Sequence, residues 1–216
     1  MKLRYDDSTV HNVIFDLGGV VLEWNPDAIL ENYYADPSAR SAMKAALFQH
    51  PDWVQMDRGT LSEAEVIERL AQRTGIANDV LAGLMEAVRQ SLQPKADTLL
   101  LLEDLAERQV PLYCLSNMPA STFVYLCDRY DFWDVFRGIV ISGEIKMMKP
   151  EPEIFDYLLQ RYGLSAAETV FVDDHAPNIE AARALGLGTV LFRDARQCRA
   201  ELDRLLGAGA AAHRRG

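Results

Sequence analysis

Six polar residues of the sequence lie at the ends of short apolar runs or on the loops that leave them. They are Asp16, Ser116, Asn117, Lys149, Asp173 and Asp174. A carboxylate can act as a nucleophile, an amine and a hydroxyl can bind phosphoryl oxygens, and acids can hold Mg²⁺. Phosphoryl transfer needs this combination, because positioning and charge neutralisation dominate its catalysis. The residue types therefore indicate chemistry at a phosphate group.

These residues can act together only if the fold brings them together, and the apolar pattern predicts such a fold. The residues before Asp16 and the segments 111–115, 138–141, 169–172 and 189–192 are typical of strands. Segments with helical periodicity separate them, which predicts an α/β fold with a parallel sheet. Because the carboxyl ends of parallel strands share one edge of the sheet, the six residues should converge there.

A long helical segment interrupts this alternation after the first strand. Between residues 26 and 91 the apolar residues recur at helical spacing, with turns expected at 36–38 and 50–52. Thr60 or Ser62 is expected to begin one helix and Gly75 to end it. The segment is therefore predicted to be a helical insertion, and the Gly/Ala-rich residues 207–216 a flexible tail.

Composition limits the partners and the compartment. The 216 residues include 22 Lys and Arg against 32 Asp and Glu, and the net charge of −10 disfavours nucleic acid and anionic membrane surfaces. Three cysteines without paired spacing fit a reducing compartment, and no apolar run approaches a membrane span. We expect a cytoplasmic monomer or homodimer that acts on a small molecule.

Four ordered motifs resemble those of the haloacid dehalogenase-like hydrolases. They are F-D-L-G-G-V-V at 15–21, L-S-N at 115–117, K-P-E-P-E-I-F at 149–155 and V-F-V-D-D at 170–174. The resemblance implies a Rossmann-like parallel sheet core flanked by helices (1–22 and 93–206) with an inserted small helical cap domain (23–92). It is closest to phosphatases with a D-L-G-N or D-L-G-G first motif, some of which act on sugar phosphates such as glucose 1-phosphate.

The same resemblance implies roles for individual residues. Asp16 would form an aspartyl-phosphate, Ser116 and Lys149 would assist catalysis, and Mg²⁺ would be the cofactor. The implied metal ligands are Asp16, the Gly18 carbonyl, Asp174 and Asp173, which would bind through water or brace Lys149. The predicted substrate contacts are Gly19 and the backbone around Asn117. Apart from the resemblance, we expect Asp57 and Arg58 to contact the substrate, with Trp24 and Asn25 as further contacts of the cap or entrance. Asn178 would orient a metal-bound water, and Lys146 is an alternative to Lys149 as the functional amine.

One position departs from the family pattern. Most phosphatases of the family carry a second aspartate two residues after the nucleophile, where it acts as general acid and base, and this chain has Gly18 there. A positioned acid or base contributes roughly 10² to 10⁴ in rate. We hypothesise that a residue of the insertion replaces it, with Asp57 as the first candidate and His50 as the second.

Other interpretations of these residues remain open. Ser116 and Asn117 could form an ordinary turn, Lys149 could be a solvated loop residue, and Trp53 and Trp133 could serve packing alone. As a 2-haloacid dehalogenase, the chain would be expected to carry an aromatic residue near Gly18 and serines in place of the Asp173-Asp174 pair. A third alternative is a phosphate-binding protein with little turnover.

Overall fold

The core of the protein is a sheet of five parallel strands in the order β3-β2-β1-β4-β5. The computed structural model describes residues 10–212. The strands are β1 (Asn12–Phe15), β2 (Leu112–Ser116), β3 (Gly138–Ile141), β4 (Thr169–Asp173) and β5 (Gly188–Leu191). The order places β1 at the centre, where it pairs with both β2 and β4. The predicted α/β fold with a parallel sheet is confirmed.

Helices cover both faces of the sheet because successive strand residues point to opposite sides. Val13 and Phe15 belong to one apolar cluster. Ile14 belongs to the cluster on the other face. The core helices are α6 (Ala96–Glu107), α7 (Ala120–Arg129), α8 (Ser142–Ile145), α9 (Pro152–Tyr162), α10 (Ala176–Ala184) and α11 (Ala195–Ala212). Of these, α6, α7 and α11 pack on the Val13 face, and α9 and α10 pack on the Ile14 face.

Five further helices lie between β1 and β2 and have an apolar cluster of their own. They are α1 (Pro26–Glu31), α2 (Pro37–Ala46), α3 (Pro51–Asp57), α4 (Glu63–Thr74) and α5 (Asn78–Ser91). Their shared cluster contains Leu30, Leu70 and Leu81, each fully buried. The chain enters and leaves this helical insertion through two segments that lie side by side. Glu23 N–H donates to the Gln93 carbonyl at 2.8 Å and joins them. The predicted division at residues 22/23 and 92/93 falls within these paired segments.

Local sequence signals explain four of the five helix starts in the insertion and the end of α4. Ser62 caps α4 in a capping box with Glu65, and Gly75 ends that helix with a φ of 71°. The turns expected at 36–38 and 50–52 are helix starts instead, in which Asp36 and His50 are N-caps and a proline occupies the first turn. A proline in that position loses no hydrogen bond, because the first N–H groups of a helix have no partner within it.

The last helix is longer than the sequence pattern predicts. Residues 207–212, expected to be part of a flexible tail, continue α11, and residues 213–216 lie outside the described part of the chain. Four of these six residues are alanine, which has the highest helix propensity. Among residues 10–212, no helix is long and apolar enough to cross a membrane.

Candidate active site

Asp16 lies directly beyond the central strand, at the edge of the sheet where the sequence predicts it. Its backbone N–H donates to the Val172 carbonyl at 2.9 Å, which extends the β1–β4 pairing by one residue. Its carboxylate Oδ1 accepts from the Leu17 N–H at 2.7 Å and lies 2.8 Å from Lys149 Nζ. Burial raises the pKa of Asp16 to about 7, because desolvation and the nearby Asp173 charge outweigh the opposing effect of Lys149.

Lys149 is buried between two acids. Its Nζ lies 2.8 Å from Asp16 Oδ1 and 2.7 Å from Asp173 Oδ2, and only 2% of the residue is exposed. Burial alone would lower the pKa of Lys149, but the attraction of the two carboxylates outweighs that effect and raises it. Lys146 is exposed at the end of α8, so Lys149 is the lysine placed beside the predicted nucleophile.

Asn117 fixes the backbone of Lys149 rather than facing the site with a free amide. Asn117 Nδ2 donates to the Lys149 carbonyl at 2.9 Å, and Lys149 N–H donates to Asn117 Oδ1 at 2.9 Å. This reciprocal pair links the end of β2 to the loop that carries Lys149. The side chain of Asn117 therefore positions Lys149, and the contact of the backbone around Asn117 with the phosphoryl oxygens stays a prediction.

Asp173 is fully buried and surrounded by donors. Besides Lys149, it accepts from both the His175 N–H at 2.7 Å and the Asn178 side-chain amide at 3.1 and 3.0 Å. Of the two roles implied for Asp173, the geometry favours bracing Lys149. Asn178, expected to orient a metal-bound water, holds Asp173 instead, because its amide reaches both carboxylate oxygens.

Asp16, Asp173 and Asp174 form a group of acids whose ligand atoms lie within 4.8 Å of one another. Asp174 is the most accessible of the three, but desolvation of its partly buried carboxyl, and to a lesser extent repulsion from Asp173, raises its pKa. Such repulsion is relieved when a cation lies between the acids, and hard oxygen donors suit Mg²⁺. The donor set therefore fits a magnesium ion held chiefly by Asp16 and Asp174.

Gly19 provides the space that the Asp174 carboxylate occupies. A Cβ at Gly19 would lie 2.2 Å from Asp174 Oδ2, and its φ of 81° favours glycine. Its N–H donates to the Leu22 carbonyl at 2.8 Å. The prediction of Gly19 as a substrate contact is corrected, because this residue is used for the turn and for the close approach of Asp174.

A cavity of about 490 Å³ connects the sheet edge with the helical insertion. Several predicted site residues line it together, namely Asp16, Gly18, Asp57, Ser116, Asn117, Lys149, Asp174 and Asn178. The rest of its lining is mostly apolar and includes Trp24, Phe48, Trp53, Val54, Met56, Met85, Val88, Leu92, Met118 and Pro119. The cavity thus has a polar end at the sheet and an apolar wall that comes largely from the insertion.

Three aromatic residues form part of that wall. The ring centroids of Trp24 and Trp53 are 5.8 Å apart, and Phe48 packs against both with centroid distances of 5.7 and 4.9 Å. Trp53 therefore packs and also faces the cavity, whereas Trp133 packs on Phe123 and lies elsewhere. The expectation that Trp24 lies at the site agrees with this position.

Three other candidates of the insertion lie away from the cavity lining in the described chain. Arg58 pairs through both of its terminal nitrogens with Glu151, so the prediction of a substrate contact is corrected. His50 caps α3 and lies 3.3 Å from Asp52, which disfavours it as the replacement acid. Asn25 caps α1 by accepting from the Ala28 N–H at 3.1 Å.

The sequence pattern did not identify most of the apolar lining. Met118 and Pro119 follow the L-S-N motif directly and could have been found by extending it. Met85 and Val88 lie on α5, and their helical spacing fits core packing equally well, whereas Phe48 lies in the turn between α2 and α3. Arg89 and Glu63 also line the cavity, where Arg89 Nη1 pairs with Glu63 and Nη2 lies 2.6 Å from Glu86.

Comparisons with known proteins agree with this site. The family model described as haloacid dehalogenase-like hydrolase matches residues 10–186. A sesquiterpene phosphatase of Aspergillus oryzae is 30% identical, over 93% of this chain and 98% of that protein. A D-ribitol-5-phosphate phosphatase of Bacteroides thetaiotaomicron is 24% identical, over 91% and 98% of the two chains.

A solved structure shows the same architecture. It is a HAD-family enzyme of Bacteroides thetaiotaomicron in complex with magnesium and inorganic phosphate, with a TM-score of 0.67 and 26% identity over 85% of this chain and 94% of that chain. The resemblance predicted from the four motifs, the Rossmann-like core and the hydrolase class are confirmed. The chain therefore belongs to the haloacid dehalogenase-like hydrolases.

Proposed function

We propose that this protein is a Mg²⁺-dependent phosphatase that hydrolyses a phosphate monoester through an aspartyl-phosphate on Asp16. The observation that carries the proposal is the position of the Asp16 carboxylate at the polar end of the cavity, 2.8 Å from the buried ammonium of Lys149. Asp174 lies on the same wall. The phosphatase names of two relatives support the reaction, and the magnesium and phosphate in the related structure support the cofactor.

The two oxygens of Asp16 have different surroundings. Among the described residues, Leu17 N–H and Lys149 Nζ both contact Oδ1, which directs Oδ2 toward the substrate. Oδ2 attacks phosphorus, and the bond from phosphorus to the ester oxygen breaks while that oxygen takes up a proton. Water then attacks the phosphorus of the aspartyl-phosphate, the bond to Oδ2 breaks and inorganic phosphate leaves.

The remaining polar groups stabilise the charge on the phosphoryl oxygens. Lys149 supplies a positive charge whose position is fixed by Asp173 and by the backbone pair with Asn117. Ser116 ends β2 at the cavity and offers its hydroxyl. Asp16, Asp174 and the Gly18 carbonyl would hold Mg²⁺, which supplies further neutralisation of phosphoryl charge when bound.

The cavity lining favours an apolar organic group on the phosphate. A sugar phosphate, which the sequence resemblance predicts, presents hydroxyl groups that need hydrogen-bond partners when they are buried. The wall opposite the sheet edge is formed instead by the Trp24, Phe48 and Trp53 cluster and its apolar neighbours. Arg89 adds little positive charge there, because Glu63 and Glu86 neutralise it.

The relatives support both substrate classes. One is named for a sesquiterpene and the other for a sugar alcohol phosphate. We propose the apolar monophosphate as the substrate class of this chain, because most of the cavity wall is apolar. We also propose that the helical insertion is a cap that covers the substrate and excludes water.

Hydrolysis of 4-nitrophenyl phosphate with Mg²⁺ or with a chelator tests the reaction. Asp16→Asn should abolish activity, whereas Asp156→Asn, which makes the same exchange on the exposed side of α9, should not change it. Activity without metal or without Asp16 contradicts the proposal. Chloride release from 2-chloropropionate without metal would favour the dehalogenase, and phosphate binding without turnover would favour the binding protein.

A substrate panel tests the apolar group. Octyl phosphate should give a kcat/KM at least tenfold above those of glucose 1-phosphate and ribitol 5-phosphate. Trp53→Ala should reduce this preference, because the aromatic wall loses one of its three rings. A higher kcat/KM for either polar substrate would return the assignment to the sugar phosphates.

A further inference from the structure

The leaving oxygen of an alkyl phosphate needs a proton. In the family pattern the general acid lies two residues after the nucleophile, and in this chain that residue is Gly18. We infer that Asp57, at the end of α3, donates this proton and then serves as the base toward the attacking water, an inference that rests on the proposed phosphatase function. Asp57 lines the same cavity as Asp16. It enters that cavity from the helical insertion, whereas Asp16 enters it from the sheet.

Elimination among the acids of the cavity leads to the same residue. The carboxyl groups in its described lining are those of Asp16, Asp57, Glu63 and Asp174. Asp16 is the proposed nucleophile and Asp174 belongs to the metal group. Glu63 is engaged in an ion pair with Arg89. Asp57 is the remaining carboxyl group. His175, a further acid–base group of the lining, is exposed and follows Asp174 directly in the sequence.

The direction of approach suits proton transfer. In an in-line displacement the nucleophile and the leaving oxygen occupy opposite sides of phosphorus. Asp16 attacks from the sheet edge, so the ester oxygen departs toward the insertion, where Asp57 and the apolar wall lie. A proton donor at this wall meets the leaving oxygen without displacing the groups that bind the phosphoryl oxygens.

Three contacts hold the backbone around Asp57 against the core. Ser142 Oγ donates to the Asp57 carbonyl at 2.5 Å. Arg58 Nη1 donates to Glu151 Oε2 at 2.8 Å. Gly59 packs so closely that an added Cβ would lie 2.3 Å from the Gly143 carbonyl oxygen. Because Glu151 lies two residues after Lys149, these contacts fix Asp57 relative to the catalytic loop.

The environment of Asp57 favours the protonated form that a donor requires. Burial raises the pKa of Asp57 well above its ordinary value of 3.8, and the hydrogen bond from the Trp53 indole opposes this only in part. In the first step the proton of Asp57 moves to the ester oxygen as its bond to phosphorus breaks. In the second step the Asp57 carboxylate takes a proton from water as the water oxygen bonds to phosphorus, which restores the acid.

Leaving-group dependence distinguishes this role from a structural one. Nitrophenolate departs without a proton, whereas the alkoxide of benzyl phosphate does not. Asp57→Asn should lower kcat/KM for benzyl phosphate by about 10² to 10⁴ and that for 4-nitrophenyl phosphate by less than tenfold. Glu63→Gln, the same exchange at another acid of the cavity, should leave the ratio of the two values unchanged.

The outcomes separate the two proposals. An equal fall in kcat/KM for both esters overturns the role of Asp57 while leaving the phosphatase function intact. No turnover of either ester by the natural chain overturns the phosphatase function, and the role of Asp57 with it. A burst of nitrophenolate equal to the enzyme concentration in Asp57→Asn would show directly that loss of the base slows the second step.

A second variant tests the same role without relying on Asp57→Asn alone. Among residues 10–212, a Cβ at Gly18 would meet only Trp24 Cβ and Cγ, at 3.8 and 3.9 Å, so a side chain fits there. Adding Gly18→Asp to Asp57→Asn should restore hydrolysis of benzyl phosphate. In a chain that carries Gly18→Asp, the further change Asp57→Ala should not lower this activity. Gly18→Asn is the matched control and should do neither. Failure of Gly18→Asp in both backgrounds contradicts the inference.

Discussion

Lys149→Met removes one buried charge while keeping the length of the side chain, and its consequence can be worked out from the structure. The ammonium lies 2.8 Å from Asp16 and 2.7 Å from Asp173. Asp173 keeps the donors from Asn178 and His175, whereas Asp16 keeps the Leu17 N–H but loses the positive charge that compensates it. Removing one partner of a buried ion pair costs about 3 to 5 kcal/mol in the free energy of unfolding.

Proton uptake by Asp16 limits this loss at lower pH. The pKa of Asp16 is already raised to about 7, and loss of Lys149 raises it further. Above pH 7 the folded variant therefore holds one proton more than the folded natural chain. Its relative stability then falls by about 1.4 kcal/mol for each pH unit until Asp16 ionises. We expect Lys149→Met to lower the free energy of unfolding by about 3 to 5 kcal/mol at pH 9. At pH 7 this loss should be smaller by about 2 kcal/mol.

Urea unfolding with chelator present at pH 7 and pH 9 measures both quantities. Lys146→Met makes the same exchange at an exposed lysine and should change the free energy of unfolding by less than about 0.5 kcal/mol at either pH. A loss below about 1 kcal/mol at pH 9 would refute the reasoning. A loss that is equal at the two pH values would show that Asp16 takes up no proton.

Three further measurements test separate parts of the site. Gly19→Ala should force the Asp174 carboxylate to move, because the added Cβ would lie 2.2 Å from its Oδ2; calorimetry should show at least tenfold weaker Mg²⁺ binding, and unchanged affinity would contradict this. As the pH is raised toward 7, the Mg²⁺ affinity of the natural chain should rise by up to about tenfold per pH unit, and it should level off above pH 7. The reason is that Mg²⁺ binds the ionised form of Asp16, whose pKa is about 7 without metal. Arg58→Ala should lower kcat/KM several-fold by releasing Glu151 while changing the free energy of unfolding by only about 1 kcal/mol, which steady-state kinetics and urea unfolding check.

The strands and the acids at their ends follow from the sequence alone. Apolar runs such as 13–15 and 170–172 suit only a buried environment, and a polar residue directly after such a run lies at the sheet edge. Asp16 and Ser116 therefore converge through backbone geometry, and the four motifs give the family. Local signals were also sufficient for the start and end of α4 at Ser62 and Gly75.

Tertiary structure decided how the side chains share their contacts. Asn117, Gly19 and Arg58 have the chemistry of substrate contacts, yet they position Lys149, Asp174 and Glu151, respectively. Their partners are separated from them by 32 or more positions, and periodicity contains no information on such pairings.

The character of the cavity wall was likewise decided by packing. The apolar residues of the insertion have the same helical spacing whether they face its own core or the cavity, so Leu70 and Met85 cannot be told apart by pattern. The sequence by itself determined the chemistry at the sheet edge, because strand ends fix it locally. Only the packing of five helices over that edge decided that an apolar wall faces Asp16, because side chains from separate helices meet there.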